Sequence, residues 1–362
     1  MLSLGLLADD LTGALDSSAE FVGVCGPFDV VWSADSLAPG APSFAVDSGT
    51  RECDAPEAAS IVGSLAPRLE GADVVYKKID SLLRGPWAAE LAACLQSGFW
   101  DACIVAPAFP HQGRITRGGR QYARMPDGSW NEAGPTIVDQ FRECGLEARL
   151  AGRDIALQKG VSIFDAERDD DLDRIAEIGR GFSGRVLWCG SGGLAAALAR
   201  GSDVSVSTQL KAPLLGIFGS DHAVTAAQLS RCEAVLLRSY DVGADIDEIK
   251  RALARGAALI RLETSGAVSR AEAAERFASE MARLVQAIDP PKTLIVAGGE
   301  TLKAQMLAVK ARALRIIGRL EPGLPKSVIQ DGRWSGIEVI SKSGAFGPPD
   351  LWFSLLRQNR LM

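Results

Sequence analysis

The chain has 362 residues, of which 47% are hydrophobic and 23% charged, with a formal net charge of −6. This length suits two domains of roughly 150–200 residues each, and the composition is typical of a globular protein and excludes a disordered one. The acidic balance disfavours a nucleic-acid binder, whose surface would be basic. No apolar segment approaches the roughly 20 residues that a bilayer requires, so we expect a cytoplasmic protein with no membrane partner.

The cysteines and histidines limit the chemistry further. Seven cysteines are widely spaced without a Cys-x-x-Cys pair, which favours reduced, mostly buried thiols. The sequence contains two histidines, His111 and His222, which is poor support for a zinc site or a Ser-His-Asp triad. The N-terminal apolar run is not preceded by a basic residue, so it is predicted to be a first strand and not a signal peptide.

The first half of the chain alternates apolar runs with helical patterns, which predicts a parallel sheet with helices on both faces. The predicted strands are Leu4–Ala8, Asp29–Trp32, Phe44–Val46, Val74–Ile79, Cys103–Pro107, Ile163–Asp165 and Val186–Cys189. The predicted helices are Pro56–Leu69, Trp87–Leu95 and Leu172–Ile178. The stretch from Gly113 to Asn131 follows neither period and is predicted to be a long loop or an irregular hairpin.

A polar, serine-rich stretch between Gly201 and Pro213 predicts the domain boundary, with domains at residues 1–207 and 208–362. The second domain repeats the alternation of strands and helices. Its predicted strands are Leu214–Phe218, Val235–Arg238, Leu259–Leu262 and Thr293–Ala297, and its predicted helices include Asp247–Arg255 and Ala271–Ile288. The fold class is therefore α/β, as two α/β domains that each have a largely parallel sheet flanked by helices.

Two adjacent carboxylates, Asp9 and Asp10, end the first predicted strand and precede a helix. Ligands of a parallel α/β sheet bind at this edge, where strand ends and helix starts meet. A carboxylate there can accept substrate hydroxyls, hold Mg²⁺ or act as a general base. The alternative is a plain helix cap by Asp10.

Three further segments bring cations to predicted strand ends. Arg51 follows the third strand, and its planar fork suits a carboxylate, although a solvated loop arginine is the alternative. On the strand before Asp80, alternation places Lys78 and Asp80 on one face, with Ser81 and Arg84 at the next turn. An edge strand protected by lysine is the alternative here. A fourth candidate cation, Arg114, begins the Gly- and Arg-rich stretch.

The second domain contains glycine turns of the kind that let backbone approach phosphate groups. The candidates are Ser220, Gly298, Gly299, Glu300, Thr301, Ser343, Gly344 and Gly347. None of these turns has the Gly-x-x-x-x-Gly-Lys-Ser/Thr spacing of a P-loop, and the chain has no complete Gly-x-Gly-x-x-Gly fingerprint. Tight connections without a ligand are the alternative.

In order and spacing these motifs resemble the four-carbon acid sugar kinase family over nearly the whole chain. The matching segments are Ala8-Asp9-Asp10-Leu11-Thr12-Gly13, Asp47-Ser48-Gly49-Thr50-Arg51, Lys77-Lys78-Ile79-Asp80-Ser81, Gly113-Arg114, Phe218-Gly219-Ser220, Ala297-Gly298-Gly299-Glu300-Thr301 and Ser341-Lys342-Ser343-Gly344. The chain departs from the family pattern at Leu82, where a threonine is common, and after Tyr122, where the segment is shorter. These departures leave the substrate open within the family.

The resemblance implies a kinase with ATP and Mg²⁺ as cofactors, acting on the terminal hydroxyl of a four-carbon acid such as threonate, erythronate or a 3-oxo-tetronate, in a cleft between the domains. Catalysis is expected from Asp9, Asp10 or Asp80, and the metal ligands are left open. The implied acid-sugar residues are Asp9, Arg51, Lys78, Ile79, Asp80, Ser81, Arg84 and Arg114. The implied ATP residues are the second-domain candidates named above.

Two other functions compete with this interpretation. An NAD(P)-dependent sugar-acid oxidoreductase is disfavoured by the incomplete glycine fingerprint. A non-catalytic sugar-acid binding protein remains the second alternative. A homodimer is compatible with the sequence, and no nucleic-acid partner is expected.

Overall fold

The apolar run at the N-terminus forms strand β1, Leu4–Ala8, whose residues are all buried. The computed structural model describes residues 1–125, 127–152, 156–202, 204, 206–220, 222–263 and 270–362. The chain divides into two units, Met1–Val204 and Ser205–Met362, close to the boundary expected from the serine-rich stretch. Both units combine a mostly parallel sheet with packed helices, as the alternating pattern predicted.

In the first unit the strands after β1 are β2 (Phe28–Val31), β3 (Phe44–Asp47), β4 (Val74–Lys78), β5 (Ala102–Ala106), β6 (Arg114–Arg117), β7 (Arg120–Arg124), β8 (Trp130–Glu132), β9 (Ala148–Leu150), β10 (Gly160–Ile163) and β11 (Val186–Gly190). The helices are α1 (Leu11–Cys25), α2 (Ala55–Leu65), α3 (Trp87–Gln96), α4 (Ile137–Glu143), α5 (Asp169–Arg180) and α6 (Gly192–Leu198). The predicted helix Pro56–Leu69 is wrong at its end, because Ala66–Leu69 is a separate 3-10 turn with a proline at its start.

The main sheet of this unit runs in the order β2-β3-β1-β4-β11-β5-β10-β9, with parallel pairing throughout. Helix α6 packs with both α1 and α5, and α2 packs with α3. Neighbouring side chains of β4 point to opposite faces. Lys77 pairs with Glu90 of α3, whereas Lys78 reaches the first turn of α1, so α3 and α1 cover opposite faces of the sheet.

The stretch predicted as a loop or irregular hairpin is instead a three-stranded antiparallel sheet in the order β6-β7-β8. Its buried face carries polar side chains: Thr116 donates a hydrogen bond to Gln121 over 2.7 Å, and both residues are fully buried. The exposed residues of β8 add no apolar alternation. Because strand prediction from sequence depends on alternating apolar and polar residues, this sheet had no usable signal.

In the second unit the strands are β12 (Leu214–Phe218), β13 (Leu236–Ser239), β14 (Ala257–Leu262), β15 (Thr293–Ala297), β16 (Ala313–Glu321), β17 (Leu324–Gln330) and β18 (Glu338–Lys342). The helices are α7 (Ala223–Leu229), α8 (Val242–Ala254), α9 (Arg270–Ala287), α10 (Gly299–Ala308) and α11 (Leu351–Gln358). The strand order is β13-β14-β12-β15-β18-β17-β16, parallel as far as β18 and then antiparallel.

The antiparallel pair β16 and β17 was missing from the sequence prediction. Lys326 and Ser327 are buried in the middle of β17, and β16 carries two register shifts against its partner. Buried polar residues and bulges break the two-residue alternation that marks a strand. The parallel strands β12 and β15, by contrast, are continuous apolar runs, and their predicted bounds were correct.

Candidate functional site

Strand register brings the predicted acid-sugar segments of the first unit to one edge of its sheet. Ala8, the last residue of β1, lies opposite Asp47 on β3 and Lys78 on β4. These strands therefore end at the same level, and the loops that follow them leave from the same edge. Asp9 and Asp10 follow the first of these strand ends, and Arg51 and Asp80 follow the other two.

Arg51 binds all three of the predicted catalytic carboxylates. Its Nη2 donates to Asp9 Oδ1 over 2.7 Å and to Asp10 Oδ1 over 2.8 Å, and its Nε donates to Asp9 Oδ2. Its Nη1 lies 3.4 Å from Asp80 Oδ1. The Arg51 side chain is 14% exposed and that of Asp9 only 1%. One guanidinium thus contacts three carboxylates where little solvent reaches them, and Lys77, Lys78 and Arg84 add positive charge nearby.

The ionisation of the two buried aspartates follows from this arrangement. Burial by itself would raise the pKa of Asp9, but the charge and hydrogen bonds of Arg51, with Lys77 and Lys78 nearby, hold it below its usual value. Burial likewise opposes the charge of Asp80, and hydrogen bonds from Arg84 with the charge of Arg51 lower its pKa. Both groups are therefore carboxylates at neutral pH.

Asp80 is held by the turn that follows it. Its Oδ2 accepts hydrogen bonds from the backbone N–H of Leu82 at 3.0 Å and from Arg84 Nε at 2.9 Å, and its Oδ1 accepts from Arg84 Nη2 at 2.8 Å. Leu83 adopts a left-handed φ of 59°, an uncommon conformation for leucine that is found where a site constrains the backbone. At Gly85, with φ 78°, a Cβ would lie 2.7 Å from the Arg51 carbonyl oxygen, so this turn and the Arg51 loop pack backbone to backbone.

Lys77 and Glu90 form a second, fully buried ion pair beneath the site, with Nζ and Oε2 2.6 Å apart. Glu90 also accepts a hydrogen bond from Thr50 over 2.7 Å, and Thr50 is bonded in turn to Ser48. The pair therefore fixes the loop that carries Arg51. Sequence reasoning passed over Glu90, although a carboxylate on the apolar face of α3 signals a buried partner.

Two cations of the first unit lie near these carboxylates without an ion pair among the described residues. Lys78 is 5% exposed, and its Nζ donates to the Ile79 carbonyl over 2.9 Å, beside the first turn of α1. Arg114 Nη1 donates to the carbonyl oxygens of Gln112 and Gly113, and its buried Nε has no hydrogen-bond partner among the described groups. Burial lowers the pKa of Arg114, against the opposing charge of Asp80.

The other residues expected at this site are placed less directly. The side chain of Ile79 is fully buried, so it is a core residue and only its backbone faces the site. Ser81 is half-buried, and its carbonyl accepts a hydrogen bond from Gln121 of β7 over 2.7 Å, which ties the small antiparallel sheet to the Asp80 turn. Arg84 is 64% exposed on its side chain and pairs with Asp80.

In the second unit the predicted nucleotide residues also meet at one sheet edge. Phe218, Ala297 and Lys342 end the neighbouring strands β12, β15 and β18 and lie opposite one another in register. Gly344 could not be replaced without movement, because a Cβ there would lie 2.2 Å from Ser220 Oγ. A Cβ at Gly298 would lie 3.7 Å from Ser220 Cβ and 3.2 Å from Thr301 Oγ1. The turns after these three strands are therefore in contact.

Side chains of helix α7 fix the loop after β18 through hydrogen bonds to its carbonyl oxygens. Thr225 donates to the Gly344 carbonyl over 2.8 Å, and Gln228 Nε2 donates to the Phe346 and Pro348 carbonyls on either side of Gly347. Glu300 lies in the first turn of α10. Lys342 is the buried last residue of β18. It belongs to the motif Ser341-Lys342-Ser343-Gly344, but the sequence did not predict it as a nucleotide-binding residue.

Neither a metal cluster nor a membrane span is found in the part of the chain that the structure describes. There, no group of three or more His, Cys, Asp or Glu side chains is arranged to hold a metal ion. No helix is both long and apolar enough to cross a membrane, again within the described residues.

Comparisons with known proteins match the two units to two different domain families. The sugar-binding N-terminal domain family matches residues 4–140, and the nucleotide-binding C-terminal domain family matches residues 215–352. A D-threonate kinase of Bordetella bronchiseptica is 28% identical over 96% of this chain and 95% of its own length. A 3-oxo-tetronate kinase of Cupriavidus necator is 26% identical over 98% of this chain and 96% of its own length.

The fold recurs in solved structures. A Salmonella typhimurium LT2 structure, named for a tRNA synthase, matches with a TM-score of 0.75 over 99% of this chain and 100% of its own. At 20% sequence identity this likeness shows the fold alone.

The three carboxylates around Arg51 predict an unusual pH dependence for Arg51→Gln. In the native chain the pKa values of Asp9 and Asp80 are lowered, so their contribution to stability is present above pH about 4 and is lost on acidification below it. Without the guanidinium, burial and mutual repulsion raise these pKa values, and the penalty grows as the pH rises. We expect the variant to melt below the native chain by a gap that narrows as the pH falls from 8 to 5.

Melting curves of both chains at several pH values measure this gap. Arg117→Gln is the matched control, because Arg117 pairs with Glu167 at the surface and should give a small gap with little pH dependence. A gap for Arg51→Gln that is equally wide at pH 5 and pH 8 would show that Arg51 acts through packing and not through charge.

Proposed function

The chain belongs to the four-carbon acid sugar kinase family, and on that premise we propose that it transfers the γ-phosphoryl group of ATP to the terminal hydroxyl of a four-carbon sugar acid. The acid is of the threonate, erythronate or 3-oxo-tetronate type. The observation that carries the proposal is the pairing of two different sites in one chain. In the first unit, aspartates lie near cations that have no ion pair among the described residues. In the second unit, glycine turns meet at the ends of three parallel strands.

We assign the carboxylate of the sugar acid to Arg114 and not to Arg51. The fork of Arg51 is already occupied by Asp9 and Asp10, and a substrate carboxylate would have to displace them. Within the described residues, Arg114 donates only to neutral carbonyl oxygens, and its buried Nε has no hydrogen-bond partner there. A guanidinium in this state gains a charge-assisted bidentate contact when a carboxylate arrives.

Lys78 is assigned to the reacting end of the substrate. The charge of Lys78 helps to lower the pKa of both Asp9 and Asp80. Its Nζ also lies against the first turn of α1, since a Cβ added at Gly13 would be 2.7 Å from it. A cation near a helix N-terminus favours negative charge. Lys78 therefore suits the oxygens of the phosphoryl group during transfer, when charge spreads over them.

Among the three aspartates, Asp10 is the best placed to accept the hydroxyl proton. Its side chain is 23% exposed, against 1% for Asp9 and 9% for Asp80. Both oxygens of Asp80 are engaged by the Arg84 guanidinium, and Asp9 is held in a two-point contact by Arg51. Asp10 has a single contact with Arg51, and its other hydrogen bonds come from neutral groups, the Thr12 hydroxyl and the Gly13 N–H. Asp9 and Asp80 then hold the site together, while Asp10 faces the substrate from the first turn of α1.

The second unit is proposed to bind ATP through the turns after β12, β15 and β18. The contributing residues are Ser220, Gly298, Gly299, Glu300, Thr301, Ser343, Gly344 and Gly347. Mg²⁺ is treated as part of the MgATP substrate, since this ion commonly binds through substrate phosphates with only one or two protein carboxylates. Glu300, in the first turn of α10, is a candidate carboxylate for this ion.

An assay of ADP release tests the proposed reaction. With MgATP and a panel of four-carbon acids, including D-threonate, L-threonate, erythronate and 3-oxo-tetronates, we expect one acid to give turnover and a phosphomonoester product. The amide of that acid should be a poor substrate, because it offers no charge to Arg114. Reduction of NAD⁺ or NADP⁺ by the acid without ADP formation would support an oxidoreductase, and binding without turnover would support a sensor.

Asp10→Asn separates chemistry from folding. Asn is as good a helix cap as Asp, so α1 should keep its first turn while the site loses a proton acceptor. We expect the rate at saturating substrate to fall by about 10²–10⁴-fold, the range for a lost general base, with a small change in melting temperature. Single-turnover rates measure the effect.

Asp80→Asn is the matched comparison. It should melt early and raise KM for the acid, because Arg51 and Arg84 lose a shared partner. Its rate at saturation should fall less than that of Asp10→Asn. A normal rate for Asp10→Asn with a collapsed rate for Asp80→Asn would return the proton acceptor to Asp80.

A further inference from the structure

Lys342 is a buried cation that has no counterion among the described residues. It is the last residue of β18 and is 1% exposed, and its Nζ donates to the carbonyl oxygens of Ser343 at 3.0 Å and Gly344 at 3.3 Å. Lysine is rarely buried to this degree unless it is paired with an opposite charge. Two carbonyl oxygens supply polarity but no compensating charge, so burial disfavours the charged form of this lysine until an anion is present.

The position of Lys342 identifies where that anion would lie. Across the sheet it pairs with Ala297, and its carbonyl accepts a hydrogen bond from the backbone N–H of Gly298 over 3.0 Å. The turn on its other side brings Gly344 against Ser220. Lys342 therefore lies next to the contacting turns that follow β12, β15 and β18.

We propose that Lys342 is the phosphate-binding cation of the nucleotide site, with its Nζ moving from the carbonyls of its own turn to the β- or γ-phosphate oxygens of bound ATP. This inference rests on the proposed kinase function, and it assigns a role within it to a residue outside the glycine turns. An ammonium can serve here as a point charge that follows the phosphate through transfer.

The protonation of Lys342 supports the assignment. Burial lowers the pKa of this ammonium to about 7, so a large part of it is neutral in the empty site at neutral pH. Other titratable groups lie on the neighbouring elements: His222 at the start of α7, Glu300 in the first turn of α10 and Lys326 on β17. A bound polyphosphate would favour the charged form of Lys342 and raise its pKa, so nucleotide binding would take up a proton.

Calorimetric titration of the full chain with MgATP, MgADP and AMP tests this role. At pH 8 MgATP has no proton to release, and a lysine with a pKa of about 7 should take up close to one proton on binding. Comparing binding enthalpies in two buffers of different ionisation enthalpy measures that uptake. For Lys342→Met we expect no uptake and MgATP and MgADP binding weakened by about tenfold to a hundredfold, with AMP binding unchanged.

The control variants are Lys342→Arg and Lys292→Met. The first keeps a cation and should retain the preference for ATP over AMP, and the second removes an exposed lysine from the same unit and should change nothing. Without ligand, Lys342→Met should melt no lower than the native chain, because it removes a buried charge and keeps the apolar stem.

Three outcomes would overturn the inference. One is native affinity and native proton uptake in Lys342→Met. The second is an equal loss of AMP and ATP affinity, which would place Lys342 away from the terminal phosphates. The third is melting of the unliganded variant far below the native chain, which would make the ammonium structural. If the native chain binds no MgATP at all, the kinase proposal itself fails, which distinguishes the two.

Discussion

The contact of Arg51 with Asp9, Asp10 and Asp80 is the interaction on which the first unit depends. Two like charges about 4 Å apart repel by about 4 kcal/mol at the effective dielectric constant of a protein surface, so three carboxylates at one sheet edge require a fixed cation. Register brings the strand ends together, Gly85 admits the Arg51 backbone, and the buried Lys77–Glu90 pair holds the loop through Thr50. Each of these features positions the Arg51 guanidinium or the carboxylates that it contacts.

The cations of the two candidate sites fall into two groups with different consequences for ligands. Arg51, Arg84 and Lys77 are matched by fixed carboxylates. Lys78, Arg114 and Lys342 donate only to backbone carbonyl oxygens among the described groups. Carbonyl oxygens leave the positive charge uncompensated, and an anionic ligand then supplies what is missing. The same arrangement occurs in both units, on the sugar-acid side and on the nucleotide side.

Much of this fold could be predicted from sequence patterns, and the strands that were not predicted lack those patterns for identifiable reasons. β1, β12 and β15 are continuous apolar runs, which is the usual sequence pattern of parallel strands buried on both faces. The strands β6 to β8 are not, because their buried face holds Thr116 and Gln121.

The candidate site shows the same contrast. The motifs predicted which loops would converge, since strand ends of a parallel sheet share an edge. They did not predict which charge pairs with which: Arg51 was expected to hold the substrate carboxylate, and its contacts with Asp9 and Asp10 depend on side-chain distances that only the folded chain provides. Glu90 was missed because its partner, Lys77, lies on strand β4, and a pairing between a strand residue and a helix residue is visible only in the folded chain.

A crystal structure of the chain with its four-carbon acid tests this division of charges most directly. The expected result is a substrate carboxylate within hydrogen-bond distance of Arg114, with Arg51 still in contact with Asp9, Asp10 and Asp80. A substrate carboxylate bound by the fork of Arg51, with the aspartates released and Arg114 still on the carbonyls of Gln112 and Gly113, would contradict it.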